Sequence, residues 1–243
     1  TCTKKGNVAH YDCSRCTYKS TDSAGKKAIT DVSVKLKAHS YKTTVKKAAT
    51  LTKNGTTVEK CSCGAVKSGS TKTIYYPKTI KLEYTSATYN GKTKTPSVSV
   101  KDYKGNKLKK DTDYTVKYAS GRKSTGKYSV TITFKGKYSG TKTLTFTIVP
   151  KAVTLSKVTA GSKSATPAWK TVSGASGYQV QYSTSSKFKS AKTATVSKGS
   201  SKKTTIKKLT KGKKYYFKVR AYKTVGSVKV YGAWSSVKSV KVK

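Results

Sequence analysis

Methionine is absent from this 243-residue chain, and acids are nearly so: eight Asp and Glu stand against 53 Lys and Arg. Histidine occurs twice, and proline and phenylalanine four times each. Each scarcity excludes something. A chain without Met is expected to be a piece of a longer product, with any export signal upstream of Thr1. No apolar run approaches the ~18 residues of a membrane-spanning helix, so membrane insertion is not expected. General acid–base catalysis needs positioned carboxylates or imidazoles with tuned pKa values. Eight scattered acids supply few candidates, and the closest pair, Asp111-Thr-Asp113, reads as turn chemistry before a strand. Neither a nucleophile elbow, nor a P-loop, nor a dinucleotide-binding glycine pattern is present. The expectation is a non-enzymatic protein.

What is abundant is lysine. The formal net charge is +45, and only Arg15, Arg122 and Arg220 are arginines. Arginine is the residue that reads bases and grips phosphates with two hydrogen bonds. Sequence-specific nucleic-acid recognition is therefore not expected. A lysine excess instead gives non-specific attraction to polyanions, screened by salt. Teichoic acid, acidic glycans, sulfated mucin and DNA are candidates. The plainer alternative is solvation, since lysine on exposed strands also discourages edge-to-edge pairing.

Thr, Ser and Val follow lysine in frequency, Tyr occurs 18 times, and Glu is rare. That is strand chemistry rather than helix chemistry. Apolar residues repeat with period two rather than 3.6. The chain is read as all-β. All five cysteines precede residue 64, and Pro77 and Pro150 each end one strand run before another. Three segments result: a small Cys-containing β module at 1–76, and two β-sandwich domains in series at 77–149 and 150–243.

In the last segment, Ala165, Pro167 and Trp169 share a strand face, as do Tyr178, Val180 and Tyr182. The stretch LTKGKKYYFKVRAY (209–222) interleaves aromatic and basic residues, as a nucleic-acid-binding strip would. Strand alternation divides it. Tyr215, Phe217, Val219 and Ala221 point to a core, while Tyr216, Lys218, Arg220 and Tyr222 face solvent. Lys218 and Arg220 are thus weak candidates for polyanion contact. The Leu209, Gly212, Tyr215 spacing fits a tyrosine corner. Tyr231–Ser235 and Val237–Val242 supply the last strand. On Trp169, Tyr178, Leu209, Tyr215 and the YYFKVRAY strand, the segment resembles a fibronectin type III domain over nearly all its length. The resemblance makes these four residues structural. Pro167, where that family usually has an aliphatic residue, predicts a local loss of ladder bonding or an edge position.

The middle segment alternates in the same way through Tyr114, Val116 and Tyr118, through Val130, Ile132 and Phe134, and through Leu144, Phe146 and Ile148. Asn90-Gly91 and Lys104-Gly105-Asn106 read as hairpin turns. The string from YNGKTKTPSVSV to TKTLTFTI resembles a bacterial immunoglobulin-like domain, a kind found in tandem on surface proteins of Gram-positive bacteria.

The N-terminal segment holds an internal repeat. Thr1-Cys-Thr-Lys-Lys-Gly6 leading to Cys13-Ser-Arg-Cys16 matches Thr50-Leu-Thr-Lys-Asn-Gly55 leading to Cys61-Ser-Cys63-Gly64. It resembles short cysteine-bearing, zinc-ribbon-like repeats of Clostridia- and Lachnospiraceae-type secreted surface proteins. Zinc takes four soft or borderline ligands in a tetrahedron. Cys2, Cys13, Cys16 and His39 would supply one structural Zn site, and His10 is a substitute ligand. A ribbon alternative joins Cys13 and Cys16 with Cys61 and Cys63. The second copy has Leu51 in place of the first Cys, a shortened C-x-C and no following His, so it is not expected to bind metal alone. Disulfides are the competing chemistry for an exported chain, though five cysteines leave one over.

Together these readings predict an extracellular structural or adhesive module on a bacterial cell surface. The alternatives are a polyanion-binding module, or a subunit that assembles with like subunits into an extracellular filament.

Overall fold

The computed structural model describes residues 38–243, with the backbone of four two-residue strands before them. Those four are β1 (Gly6–Asn7), β2 (Tyr11–Asp12), β3 (Lys19–Ser20) and β4 (Ser33–Val34); β1 pairs β4 and β2 pairs β3. The described chain is all-β and contains no α-helix. It divides into two compact units. One unit comprises residues 1–78, 101–106 and 134–140, and the other comprises 79–100, 107–133 and 141–243.

In the first unit, β5 (Tyr41–Lys47), β6 (Gly55–Cys61) and β7 (Lys72–Ile74) form an antiparallel sheet. The β5–β6 register slips between Val45 and Lys47. Gly55 is what permits the slip: a Cβ there would lie 2.3 Å from the Lys47 carbonyl oxygen. Ala49 is fully buried. Its N–H donates to Lys137 O at 3.0 Å, and its carbonyl accepts from Ser139 N–H at 2.8 Å. These bonds fasten the loop 134–140 to the cysteine-bearing sheet.

In the first sandwich, β8 (Pro77–Leu82) and β10 (Val98–Asp102) form a two-stranded sheet, and a four-stranded sheet has the order β11-β12-β13-β9. The latter strands are β9 (Ser86–Thr88), β11 (Tyr114–Tyr118), β12 (Gly126–Phe134) and β13 (Thr141–Val149). Val100, Tyr114, Val130, Ile132, Phe146 and Ile148 are buried, so the period-two faces read from the sequence are the core faces. Asn90-Gly91 departs from expectation. Lys92 N–H donates to Asn90 Oδ1 at 3.1 Å, yet β9 pairs β13 and β10 pairs β8. The bend therefore changes sheets instead of closing a hairpin. Lys104-Gly105-Asn106 does make a tight turn. The buried Asp102 carboxylate accepts from Lys104 and Asn106 N–H, both at 2.9 Å, and from Asn106 Nδ2 at 3.0 Å.

The second sandwich packs a three-stranded sheet, β14 (Leu155–Gly161), β15 (Ser164–Trp169) and β18 (Ile206–Lys207), on a larger one. The larger sheet contains β16 (Gly177–Ser183), β17 (Lys192–Val196), β19 (Lys214–Val225), β20 (Val228–Tyr231) and β21 (Lys238–Lys241). Its core joins Leu155, Ala165, Trp169, Tyr178, Val180, Phe217, Val219 and Ala221. Pro167 acts as expected. Trp169 N–H donates to Lys202 O at 2.8 Å, so odd-numbered amides of β15 point toward β18, where Pro167 has none to give. The β15–β18 ladder holds only Ser164 and Ala165. The last strand is divided where a continuous one was expected, with residues 232–237 between β20 and β21. Ser235 bridges the gap: its N–H donates to Val219 O at 2.8 Å, and its Oγ accepts from Val219 N–H at 3.0 Å.

Candidate metal centre and basic face

The β5–β6 register sets Tyr41 opposite Cys61, Lys42 opposite Lys60 and Thr43 opposite Glu59. Continued by two residues, it places His39 across from Cys63, on the pleat face of Tyr41 and Cys61. The side chains converge accordingly. His39 Nδ1 lies 3.4 Å from Cys63 Sγ, and one ligand atom each from His39, Cys61 and Cys63 fall within 4.8 Å of one another. A tight turn returns Cys63 to the cluster. Gly64 N–H donates to Cys61 O at 2.9 Å, and Cys61 N–H donates to Ala65 O at 2.8 Å. Gly64 closes the turn at φ 97°, a conformation that favours glycine. Cys61 is buried, while Cys63 and His39 are exposed.

The sequence reading grouped His39 with Cys2, Cys13 and Cys16, and those three cysteines and His10 lie outside the described residues. What the structure brings together is His39 with Cys61 and Cys63. A search for a histidine after the second repeat misses this one, because it precedes the repeat and arrives across a hairpin. Leu51, which occupies the position of Cys2 in the repeat, is turned to Gly140: its Cγ lies 3.4 Å from where a Cβ would stand.

In the last sandwich, Trp169 and Tyr178 pack ring against ring, with centroids 5.1 Å apart. The Tyr178 hydroxyl accepts from Val172 N–H and donates to Gly199 O, both at 2.9 Å. Leu209 is buried, and its N–H donates to Lys163 O at 2.9 Å. Tyr215 makes the corner. Its hydroxyl accepts from Thr210 N–H at 3.3 Å and lies 3.5 Å from Thr210 Oγ1. The bonds to Thr210, helped by Lys192 and Lys213, hold this phenol below the ordinary tyrosine range.

The outer face of β19 is more occupied than a solvated stripe. Tyr222 is buried, not exposed. The Arg220 guanidinium sits 3.9 Å from the Tyr231 ring centroid and 4.3 Å from that of Trp234. Its Nε donates to Gln179 Oε1 at 2.8 Å. Lys218 Nζ lies 4.1 Å from the Phe188 centroid and 5.0 Å from that of Trp234. Ring and cation thus alternate through Phe188, Lys218, Trp234, Arg220 and Tyr231. Burial lowers the Arg220 pKa from its ordinary value, with Tyr231 opposing. Each such contact contributes about 0.5–1 kcal/mol at an exposed site. Phe188 carried no visible signal in a strand-by-strand reading, and Trp234 was read as part of the last strand; both reach this face from segments outside the ladder.

Two stacked sheets, a tyrosine corner, and Trp169 packed on Tyr178 define the module built by the last segment. Residues 149–237 match the fibronectin type III domain family. Fibronectin type III domains are generally non-catalytic structural modules, typical of extracellular proteins. No curated protein matches the chain. Among solved structures, it is similar to a segment of two fibronectin type III domains from chicken tenascin, at 17% identity and TM-score 0.41 over 68% of this chain and 99% of that one. Domains FN1–FN3 of chicken CNTN1 are similar at 15% identity and TM-score 0.35, over 78% of this chain and 75% of that one. A Fn3-like protein from Clostridium thermocellum is similar at 23% identity and TM-score 0.30, over 39% of this chain and 91% of that one.

Proposed function

We propose that this chain is a non-enzymatic structural or adhesive module of a bacterial protein displayed outside the cell. The observation that carries the reading is the fibronectin type III domain at 149–237, following a second sandwich in the same chain. Modules of this sort hold other parts at a distance or meet a surface through exposed faces. The warrant from fold to role is analogy; the charge adds a physical argument. A net charge of +45 draws the chain to acidic polymers such as teichoic acid, acidic glycan or DNA. Lysines spread over many faces make that attraction a property of the whole surface and not of one cleft.

The test is titration of the whole chain with teichoic acid, heparin, mucin, DNA and a neutral glycan, at low and physiological salt. Binding to every polyanion, falling steeply with salt, is the expected outcome. One ligand displacing the others at matched charge would instead mark a dedicated polyanion-recognition module. Electron microscopy of the native material addresses assembly with like subunits. Ordered fibres would favour a filament subunit, against which the like charge of neighbouring copies argues.

A further inference from the structure

We propose that His39, Cys61 and Cys63 together bind a thiophilic divalent cation of the Zn²⁺ class. Two thiolates and an imidazole are donors that zinc prefers. With Zn–S near 2.3 Å and Zn–N near 2.0–2.1 Å, a tetrahedral site has an N···S edge of about 3.5 Å and an S···S edge of about 3.8 Å. The observed 3.4 Å between His39 Nδ1 and Cys63 Sγ is such an N···S edge. The full triad spans no more than 4.8 Å. Closure on one ion therefore asks for a displacement of about 1 Å, which the exposed side chains of His39 and Cys63 can make.

Where the first copy of the repeat has Cys2, this copy has Leu51, whose side chain lies against Gly140. Among the described residues, no further His, Cys, Asp or Glu joins the group. Glu59, two residues before Cys61, is engaged with Lys67 at 3.0 Å. Three protein donors are the set that holds a zinc able to take an outside ligand, and a fourth protein donor closes a structural site. Two thiolates also neutralise the ion, so occupancy adds no charge to an already cationic chain. This ligand set differs from Cys2/Cys13/Cys16/His39 and from Cys13/Cys16/Cys61/Cys63.

The test uses the full chain, reduced and titrated with Co²⁺ as the spectroscopic probe. A variant carrying Cys2→Ser, Cys13→Ser and Cys16→Ser isolates the triad. It should retain a single cobalt with thiolate-to-metal charge-transfer absorption, and added imidazole should shift the d–d bands. Adding Cys63→Ser or His39→Gln should weaken cobalt binding by more than about 100-fold, beyond the 10–100-fold typical of losing a supporting residue. Both positions are exposed, so an unchanged circular dichroism spectrum will separate ligand loss from unfolding. Loss of the cobalt spectrum in the triple variant would overturn the proposal, because the ligands would then run through the N-terminal cysteines. So would unchanged affinity in Cys63→Ser, or thiol counting that finds Cys61 or Cys63 in a disulfide.

Discussion

Tyr215 closes the corner of the last sandwich with one hydroxyl. Removing it as Tyr215→Phe leaves the ring in place and frees Thr210 N–H, which lies near water. Stability should fall by about 1 kcal/mol, read as a lower denaturation midpoint with an unchanged slope. Tyr114 and Tyr118 act in the opposite electrostatic sense. Burial raises both phenols, with Asp111 and Asp113 adding to the effect at Tyr114 and Arg122 opposing it at Tyr118. Each therefore holds its contribution below the ordinary tyrosine pKa of about 10 and loses it as pH rises through the raised folded value. Tyr114→Phe should flatten the alkaline limb of the stability–pH curve, measured by denaturation between neutral and strongly alkaline pH. Arg220 is a third case. Arg220→Gln removes two ring contacts and alters the bond to Gln179. It should cost about 1–2 kcal/mol, summing contacts of about 0.5–1 kcal/mol each. Its effect on polyanion binding should be small, because its charge is already held between rings.

At the scale of elements, the β16–β19 ladder is the spine of the last sandwich, pairing Gly177 with Tyr222 through to Ser183 with Tyr216. Gly177 admits Tyr222 and β17 together: a Cβ there would lie 2.2 Å from Val196 O and 2.5 Å from Tyr222 Oη. Gly177→Ala should destabilise by about 2–3 kcal/mol through overpacking, seen as a lower midpoint in thermal or chemical unfolding. This packing explains a miss. Alternation sends Tyr222 outward, and so it does, but Tyr231 and the bare Gly177 cover it there. Alternation assigns a face, whereas burial depends on what lands on that face. The core residues Phe217, Val219 and Ala221 were legible because a sandwich strand needs only period two to show its inner side. Asn90-Gly91 was misread for the converse reason: turn chemistry marks a bend without saying which strands it joins.

Across the whole molecule, charge is the dominant property, and it is diffuse. Attraction to a polyanion should scale with the number of lysines engaged and fall linearly on a log–log plot against salt. Neutralising one exposed lysine, for example by Lys207→Gln, should reduce that slope by about 0.7–0.9 if the side chain meets a phosphate. Arg220→Gln should leave the slope nearly unchanged. Binding isotherms over a salt series check both.

Composition and apolar periodicity together determined the fold class, since few helix-favouring acids, abundant β-branched residues and period-two runs leave strands as the way to bury apolar surface. The sequence also marked Trp169, Tyr178, Leu209 and Tyr215, because their roles depend on local spacing within or beside a strand. The triad His39, Cys61 and Cys63, and the stack of rings and cations around Arg220, were decided by the tertiary structure. The triad depends on the β5–β6 register and the tight turn at Gly64, and the stack on loops crossing a sheet. Both bring together residues distant in the chain, and one-dimensional spacing holds no record of which strands become neighbours.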